Sequence, residues 1–516
     1  MPNVPGQGIR HAVLAGRFLG SAPAAVSLAA LVATGNSRDQ LGLWFGTDAL
    51  ALMGMSAGSA GSGASDEGAS ALRAALDRDI AALDAMISTQ LDAVLHHPRL
   101  RRLEGSWRGL FWLVERLPRV GTKVRVKLLH ARWAEVCRDI ERALEFDQSQ
   151  LFRKIHEEQF GTAGGEPFGL IAGDYEVRHR PTAGYPTDDV GVISGLAGIA
   201  AASFSPMIVG ASPELLGLSS FADLTPSFDP AAVLQGADYQ RWRKSSTQED
   251  LRFIGVALPR VLGRTPWADD GSRADRFRYR HYSPGPAERV WTSPVYGFAA
   301  VAIRAFDRFS WPADVRGAGI AEEAGGGVLD DLPIEHFFSD IAGAAPARSP
   351  LEVAFTDEQE NRISDAGLIP LAALDGLPEA CFGALPSLHR PPRMSTAIAQ
   401  ANQRISSQLN TLLCVSRFAH CVKLMGRDMT GSFLDPSEVQ TRLQQWLNGF
   451  IGGTGLATLE STARYPLQDA QVEVRERRGS PGLYNCTVHL KPHHQLDEVG
   501  ASFRLVTEFS QRNANA

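Results

Sequence analysis

The chain has 516 residues, and its 51 lysine and arginine residues against 57 aspartate and glutamate residues give a formal net charge of −6 at pH 7. This near-neutral balance does not suit a protein that depends on phosphate contacts, and no uninterrupted apolar run reaches the roughly 18 residues that would span a membrane. We therefore expect no nucleic acid partner and no membrane span.

The N-terminal arm, residues 1–70, is predicted to be separate from the rest because residues 54–70 (GMSAGSAGSGASDEGAS) have the composition of a flexible linker. A short helix is predicted over 38–53, and its apolar side carries Leu41, Trp44, Phe45 and Leu52. Residues 18–33 resemble a secretion signal only weakly because Pro23 interrupts the apolar stretch. Five scattered cysteines favour a reducing compartment, so we expect a cytoplasmic protein.

The main body is predicted over residues 71–390. From Leu72 to Val94, apolar residues recur every three or four positions, which predicts an amphipathic helix. A second helix is predicted from the spacing of Leu103, Trp107, Leu110, Val114 and Leu117. Further helices are predicted from Trp133 to Leu144 and over 189–204, 247–262 and 294–309, and strands over 123–130, 168–175, 207–212 and 351–356.

The C-terminal region, residues 391–516, has a different pattern. Long helical periodicity covers 396–430, and a further helix is predicted over 436–451. AQVEVRER (470–477) and LYNCTVHLK (483–491) alternate like two strands of a hairpin, and SFRLVTEF (502–509) reads as a last strand. Because helices and strands do not alternate regularly, we expect an α+β fold with mixed sheets, packed helices and a long C-terminal helix before the hairpin.

Charge is distributed in blocks. Residues 241–309 carry 13 basic against 7 acidic side chains, whereas residues 320–380 carry 13 acidic side chains against only Arg348 and Arg362. Solvated faces explain such blocks, and complementary surfaces in an assembly are the alternative.

The sequence offers no convincing catalytic constellation. It contains no Gly-Lys dipeptide, so a P-loop is excluded. Gly54–Gly58 fits the G-x-S-x-G pattern of serine hydrolases around Ser56, but it opens the glycine-rich linker and not a strand-to-helix turn, so a chance match is the better account. The adjacent pairs His96-His97 and His493-His494 are more typical of surface residues than of metal ligands. We expect no enzyme, no cofactor and no metal site.

Several long segments resemble, in order, the large subunit of the type VI secretion contractile sheath, the TssC/VipB family. They include LHHPRLRRLEGSWRGLFWLVE (95–115), SFSPMIVGASPELLGLSSFADL (203–224), LEVAFTDEQENRISDAGLIPL (351–371), SRFAHCVKLMGRDMTGSF (416–433) and PGLYNCTVHLKPHHQLDEVGASFRLVTE (481–508). The resemblance covers about residues 71–510. It departs from the family pattern at Thr292-Ser293-Pro294 and at Cys421, where Gly-Asn-Ala and tyrosine are usual. Arm residues 1–70 match poorly.

The resemblance implies a bacterial structural protein that forms a heterodimer with a small sheath subunit. It implies further sheath protomers, an inner tube protein, baseplate components and an AAA+ recycling unfoldase as partners. A sheath-like subunit of another contractile device, such as a phage tail, is the alternative.

The family's shared sheet between protomers suggests an interface in the terminal hairpin. We expect Val472, Val474, Tyr484, Thr487 and His489 to take part in it, unless the hairpin belongs to the chain's own core. The arm residues Leu41, Trp44 and Phe45 are candidates for an unfoldase contact, with packing on the sheath body as the alternative. The resemblance further assigns structural roles to Trp107, Arg108, Gly109, Arg417, His420 and Pro492.

Overall fold

The computed structural model describes residues 9–16, 29–45, 66–118, 124–162, 164–274, 277–281, 283, 285–317, 325–336, 347–374, 377–390, 396, 403, 405–429, 435–452, 459–476, 483–493 and 503–510. The chain divides into two compact units. The smaller unit contains Met1–Arg101 and Pro266–Arg289, and the larger unit contains Arg102–Thr265 and Val290–Ala516.

The smaller unit is helical in its described N-terminal part. Its helices are α1 (Ile9–Leu14), α2 (Ser37–Phe45) and α3 (Asp66–Leu95). Helix α3 confirms the predicted periodicity and buries Leu72 and Ala75. Because it begins at Asp66, the last residues of the predicted linker 54–70 are helical.

A parallel sheet forms the core of the larger unit. Its four strands are β1 (Ile171–Val177), β2 (Met207–Ala211), β3 (Ile254–Leu258) and β9 (Ile369–Pro370), in the order β1-β2-β3-β9. Strands β2 and β3 are buried along their whole length. Buried parallel strands read as continuous apolar runs, as β2 does. Strands β1 and β2 confirm the strands predicted over 168–175 and 207–212.

Helices surround this sheet and complete the core of the larger unit. The named helices are α4 (Pro98–Glu115, which belongs to this unit from Arg102 on), α5 (Trp133–Arg142), α6 (Asp189–Ser203), α7 (Pro230–Leu234), α8 (Gln240–Ser245), α9 (Pro294–Phe309) and α10 (Asp357–Asp365). Gln150–Phe160 is also helical, with a π-helical turn at Arg153–Glu157. Two-residue strands lie at β4 (Val261–Leu262), β5 (Trp291–Thr292), β6 (Val328–Leu329), β7 (Glu335–His336), β8 (Ala347–Arg348), β10 (Ala372–Ala373) and β11 (Ala380–Cys381).

The C-terminal region has its own hydrophobic core within the larger unit. Helices α11 (Leu409–Met429), α12 (Pro436–Asn448) and α13 (Leu459–Arg464) precede an antiparallel sheet of β12 (Leu467–Glu476), β13 (Leu483–Pro492) and β14 (Phe503–Ser510). Strand β13 is central. The predicted hairpin and last strand are thus confirmed, as is the α+β class.

Three predicted elements are wrong. Residues 124–130 are irregular and not a strand, and Val126, Leu128 and Leu129 are exposed, because alternation alone does not supply a pairing partner. The helix predicted over 247–262 is a short 3-10 turn followed by β3 and β4, since a short apolar run fits either a helix or a buried strand. The strand predicted over 351–356 is a single bridge at Leu351 before α10, whose N-terminus is capped by Thr356.

Candidate assembly surfaces

One face of the terminal sheet is packed into the chain's own core. Val472 is 2% exposed, and Val474, Cys486, Val488 and Leu490 are also buried. They pack in one cluster with side chains of α11 and α12. At the centre of this cluster, the rings of Phe418 and Trp311 stack with their centroids 4.2 Å apart. These valines therefore hold the sheet to the helices, so any contact with another chain must use the edges or the other face.

The outer edge of β12 is occupied by glutamine side chains of α12. The backbone N–H of Val472 donates to Gln444 Oε1 at 2.9 Å, and that of Val474 donates to Gln440 Oε1 at 3.1 Å. Gln444 Nε2 also donates to the carbonyl of Ala470 at 2.9 Å. An exposed strand edge normally leaves such groups open to pairing with another chain, and here helix α12 satisfies them.

The other predicted hairpin residues differ in their exposure. Thr487 is buried, Tyr484 is half-buried and His489 is exposed. Strand β14 pairs with β13 from Leu483↔Ser510 to Leu490↔Phe503. Among the described strands, none pairs with the second edge of β14, which makes this edge the better candidate for strand addition.

Helix α4 presents two different faces. On one face, a Cβ at Gly105 would lie 2.0 Å from the carbonyl oxygen of Trp291, and a Cβ at Gly109 would lie 2.2 Å from Thr292 Oγ1. The helix backbone therefore packs directly against β5 and the start of α9, at a distance that only glycine allows. The structural role that the resemblance assigned to Gly109 stays a prediction, and this close packing is the geometry that supports it.

The opposite face of α4 is an exposed apolar stripe. We define this α4 stripe as Leu103, Trp107, Phe111 and Val114, which follow the helical spacing of one face. Trp107 is 58% exposed and Phe111 is 64% exposed. Arg108 lies beside the stripe and pairs with Glu104 at 2.7 Å, while Arg264 holds the same carboxylate at 2.5 Å. Large exposed aromatic side chains in a row are typical of a protein-protein interface.

The arm residues contact the chain's own helices. Trp44 Nε1 donates to Asp79 Oδ2 at 2.9 Å, and Arg10 pairs with both oxygens of Asp79 at 2.6 and 2.8 Å. The Arg10 hydrogen bond, opposed by burial, holds the pKa of Asp79 below its usual range. Arg10 also lies over the ring of Phe45, whereas Leu41 is half-buried. In the smaller unit, α1, α2 and α3 are therefore tied together through one carboxylate.

Three further residues to which the resemblance assigned structural roles, His420, Arg417 and Pro492, lie against other parts of the fold. His420 is fully buried, and its Nε2 lies 2.9 Å from the carbonyl oxygen of Ser203. Burial lowers the pKa of His420 to about 4. The guanidinium of Arg417 lies over the ring of Phe306, and Pro492 is buried at the end of β13.

Many residues of the two charge blocks form pairs within the chain. Arg260 binds Glu176 through two hydrogen bonds of 2.5 and 2.9 Å and contacts Glu352 at 3.3 Å. Arg362 pairs with Glu358 in the same acidic block. Part of the charge asymmetry is therefore internal to the fold.

The sequence pattern did not indicate Gln440 and Gln444. The spacing that predicted α4 included Leu103, Trp107 and Val114 of the α4 stripe but not Phe111, and it did not distinguish the buried face from the exposed one. Gly105 and Gly109, four positions apart, were the available signal for the buried face. Ser56 lies outside the described residues.

No helix in the described part of the chain is long and apolar enough to cross a membrane.

Comparisons with known proteins match most of the chain. The tail sheath N-terminal domain of the EvpB/VC_A0108 family matches residues 77–389, and the tail sheath gpW/gp25-like domain of that family matches residues 398–509. The chain is 32% identical over 434 residues to the type VI secretion system sheath protein TssC1 of Pseudomonas aeruginosa. The matched region covers 83% of this chain and 84% of that relative.

Proposed function

The chain belongs to the large-subunit family of the type VI secretion contractile sheath, and from this premise we propose that it pairs with a small sheath subunit, polymerises around an inner tube and contracts to propel that tube. We propose that the sheath assembles and contracts in the cytoplasm. The observation that carries the pairing step is the α4 stripe.

The α4 stripe has the composition and position of a docking surface for another chain. Its glycine face fixes the helix against β5 and α9, so the exposed aromatic side chains are held on a rigid support. Burying Trp107 and Phe111 against a partner would contribute about 1.5–3 kcal/mol for each fully buried side chain. We assign the stripe to the small sheath subunit, which would bind it through a complementary apolar groove.

Co-expression of the chain with its small subunit tests this assignment. Phe111→Lys should reduce the co-purified small subunit at least tenfold, because a charge replaces an apolar contact at the centre of the stripe. The matched control is Leu144→Lys, which puts the same charge on an apolar residue that is 91% exposed outside α4. Equal recovery of the small subunit with Phe111→Lys and wild type would contradict the assignment.

Polymerisation requires further contacts, and we propose that they include strand addition to the outer edge of β14. The pairing already present supports this edge over that of β12, where Gln440 and Gln444 bind the backbone. That an intersubunit sheet includes Val472, Val474, Tyr484, Thr487 and His489 stays a prediction. Of these five residues, His489 is exposed and Tyr484 is half-buried, so these two are the ones that a partner could contact directly.

The inner tube, the baseplate and the AAA+ unfoldase are further partners that we propose from the family. An unfoldase contact through Leu41, Trp44 and Phe45 stays a prediction. The bonds of Trp44 and Arg10 to Asp79 would have to break before an unfoldase could pull on α2.

A further inference from the structure

Two histidines and an aspartate from distant parts of the sequence meet inside the smaller unit. One ligand atom from each of Asp92, His96 and His281 lies within 4.8 Å of the other two. The two histidine Nε2 atoms are 2.9 Å apart. We propose that these three residues bind a divalent transition-metal ion, with Zn²⁺ as the expected ion.

The three ligands come from two segments of the smaller unit that lie far apart in the sequence. Asp92 lies in the last turn of α3, which ends at Leu95. His96 follows directly, and its backbone N–H donates to the carbonyl of Asp92 at 2.8 Å, so the two side chains are one helical turn apart. His281 comes from the segment 277–281, and its backbone N–H donates to the carbonyl of Trp267 at 2.9 Å. The neighbouring His97 is exposed and does not belong to the cluster.

The aspartate is oriented by a second residue of the same segment. The hydroxyl of Tyr279 donates to Asp92 Oδ1 at 2.7 Å, and both Tyr279 and His281 are buried. Hydrogen bonds of this kind hold metal-binding carboxylates in position, and they are as characteristic of metal sites as the ligands themselves. The bond to Tyr279 uses one of the two carboxylate oxygens.

The ligand set favours zinc over calcium or magnesium. Two imidazole nitrogens and one carboxylate are typical of zinc, whereas calcium and magnesium take mainly oxygen ligands. Ligands about 2.0–2.2 Å from a tetrahedral zinc ion lie roughly 3.4 Å from one another, which is between the 2.9 Å of the two imidazoles and the 4.8 Å limit of the cluster. Small side-chain rotations therefore suffice. An ion here would fasten segment 277–281 to α3.

Metal titration of the tag-free, full-length chain after EDTA treatment tests the proposal. With ZnCl₂ as the probe, calorimetry and elemental analysis should show about one tightly bound Zn²⁺ per chain, and Co²⁺ should give the visible absorption of a tetrahedral site. His96→Ala and His281→Ala should each weaken Zn²⁺ binding by about tenfold or more. His97→Ala is the matched control and should bind as the wild type does.

Asp92→Asn provides a variant that keeps the shape of the side chain if a histidine variant fails to fold. It should also weaken Zn²⁺ binding, while circular dichroism stays that of the wild type. The proposal is overturned if the wild-type chain lacks a stoichiometric Zn²⁺ site. It is equally overturned if His96→Ala and His97→Ala bind Zn²⁺ alike, because the two imidazoles would then share only a hydrogen bond. Neither outcome bears on the sheath assignment.

Discussion

His420 lies at the junction of α11 with the end of α6, where no water reaches its ring. A carbonyl oxygen can only accept a hydrogen bond, so Nε2 of His420 carries the proton that it donates to the carbonyl of Ser203. Burial lowers the pKa of His420 to about 4, and the positive charges of Arg417 and Lys423 act in the same direction. An imidazolium at this position would be a buried, uncompensated cation.

Acid should therefore destabilise the larger unit through His420. In the unfolded chain the pKa is about 6.5, so the unfolded state binds the extra proton first as the pH falls. The contribution of His420 to stability is complete above pH 6.5 and is lost between about pH 6.5 and 4, to a total of about 3 kcal/mol. Urea unfolding at pH 7.5, 5.5 and 4.5 measures this loss.

His420→Gln isolates this effect from other titrating groups. Glutamine can still donate to Ser203 but does not titrate, so the free energy of unfolding should fall less steeply between pH 7.5 and 4.5 than in the wild type. His489→Gln, which removes an exposed histidine of β13, is the matched control for the substitution itself. Identical slopes for His420→Gln and wild type would show that His420 is not the acid-sensitive group.

Helix α12 and strand β12 are joined by hydrogen bonds between glutamine side chains and the strand backbone. Gln440 and Gln444 bind three backbone groups of the strand edge, which a neighbouring strand would otherwise bind. Replacing both glutamines by alanine leaves these groups to water or without a partner. The free energy of unfolding should then fall by about 1–3 kcal/mol, and self-association through the opened edge should rise.

The exposed neighbour Gln445 on the same helix provides the control for this double variant. Gln445→Ala changes helix α12 without touching β12, so urea unfolding and light scattering should match the wild type. If the double variant behaves like Gln445→Ala in both measurements, the glutamines do not protect the strand edge.

The elements also show what a sequence pattern can predict. The hairpin β12–β13 was predictable because the apolar alternation of β12 matches its burial. The unit β1-α6-β2 was predictable because β2 and most of α6 are buried and consist of apolar or small residues. Residues 124–130 were not, since a strand exists only with a partner strand. For α4, the periodicity located the helix but could not say whether Trp107 faces the core or another chain, because both surfaces are apolar. The meeting of His281 with Asp92 and His96 depends on tertiary structure alone.

Across the whole molecule, the terminal sheet is a better candidate for an assembly surface than the two charge blocks. Arg260 of the basic block contacts both Glu176 and Glu352 within the fold, and Glu352 belongs to the acidic block, so the net charges of residues 241–309 and 320–380 overstate what a partner would meet. The terminal sheet, by contrast, keeps a backbone edge at β14. We therefore expect polymerisation to depend more on backbone pairing than on complementary charge.

The direction of the β14 backbone groups follows from the ladder. Since the N–H groups of Val472 and Val474 point to α12, the residues between them pair with β13, and alternate residues of β13 pair with β14. This places the N–H groups of residues 504, 506 and 508 on the outer edge. Val506, opposite Thr487, lies in the middle of that edge.

Val506→Pro should separate folding and pairing from polymerisation. Proline is tolerated where an edge N–H faces outward, so the inner ladder and the α4 stripe remain and the small subunit should still co-purify. Loss of the central edge donor should abolish long tubules in negative-stain images of the co-expressed pair. Val506→Thr, which keeps both the N–H and a β-branched side chain, should form tubules like the wild type. Normal tubules from Val506→Pro would mean that protomers join elsewhere, and loss of the small subunit would mean that β14 belongs to the pairing surface.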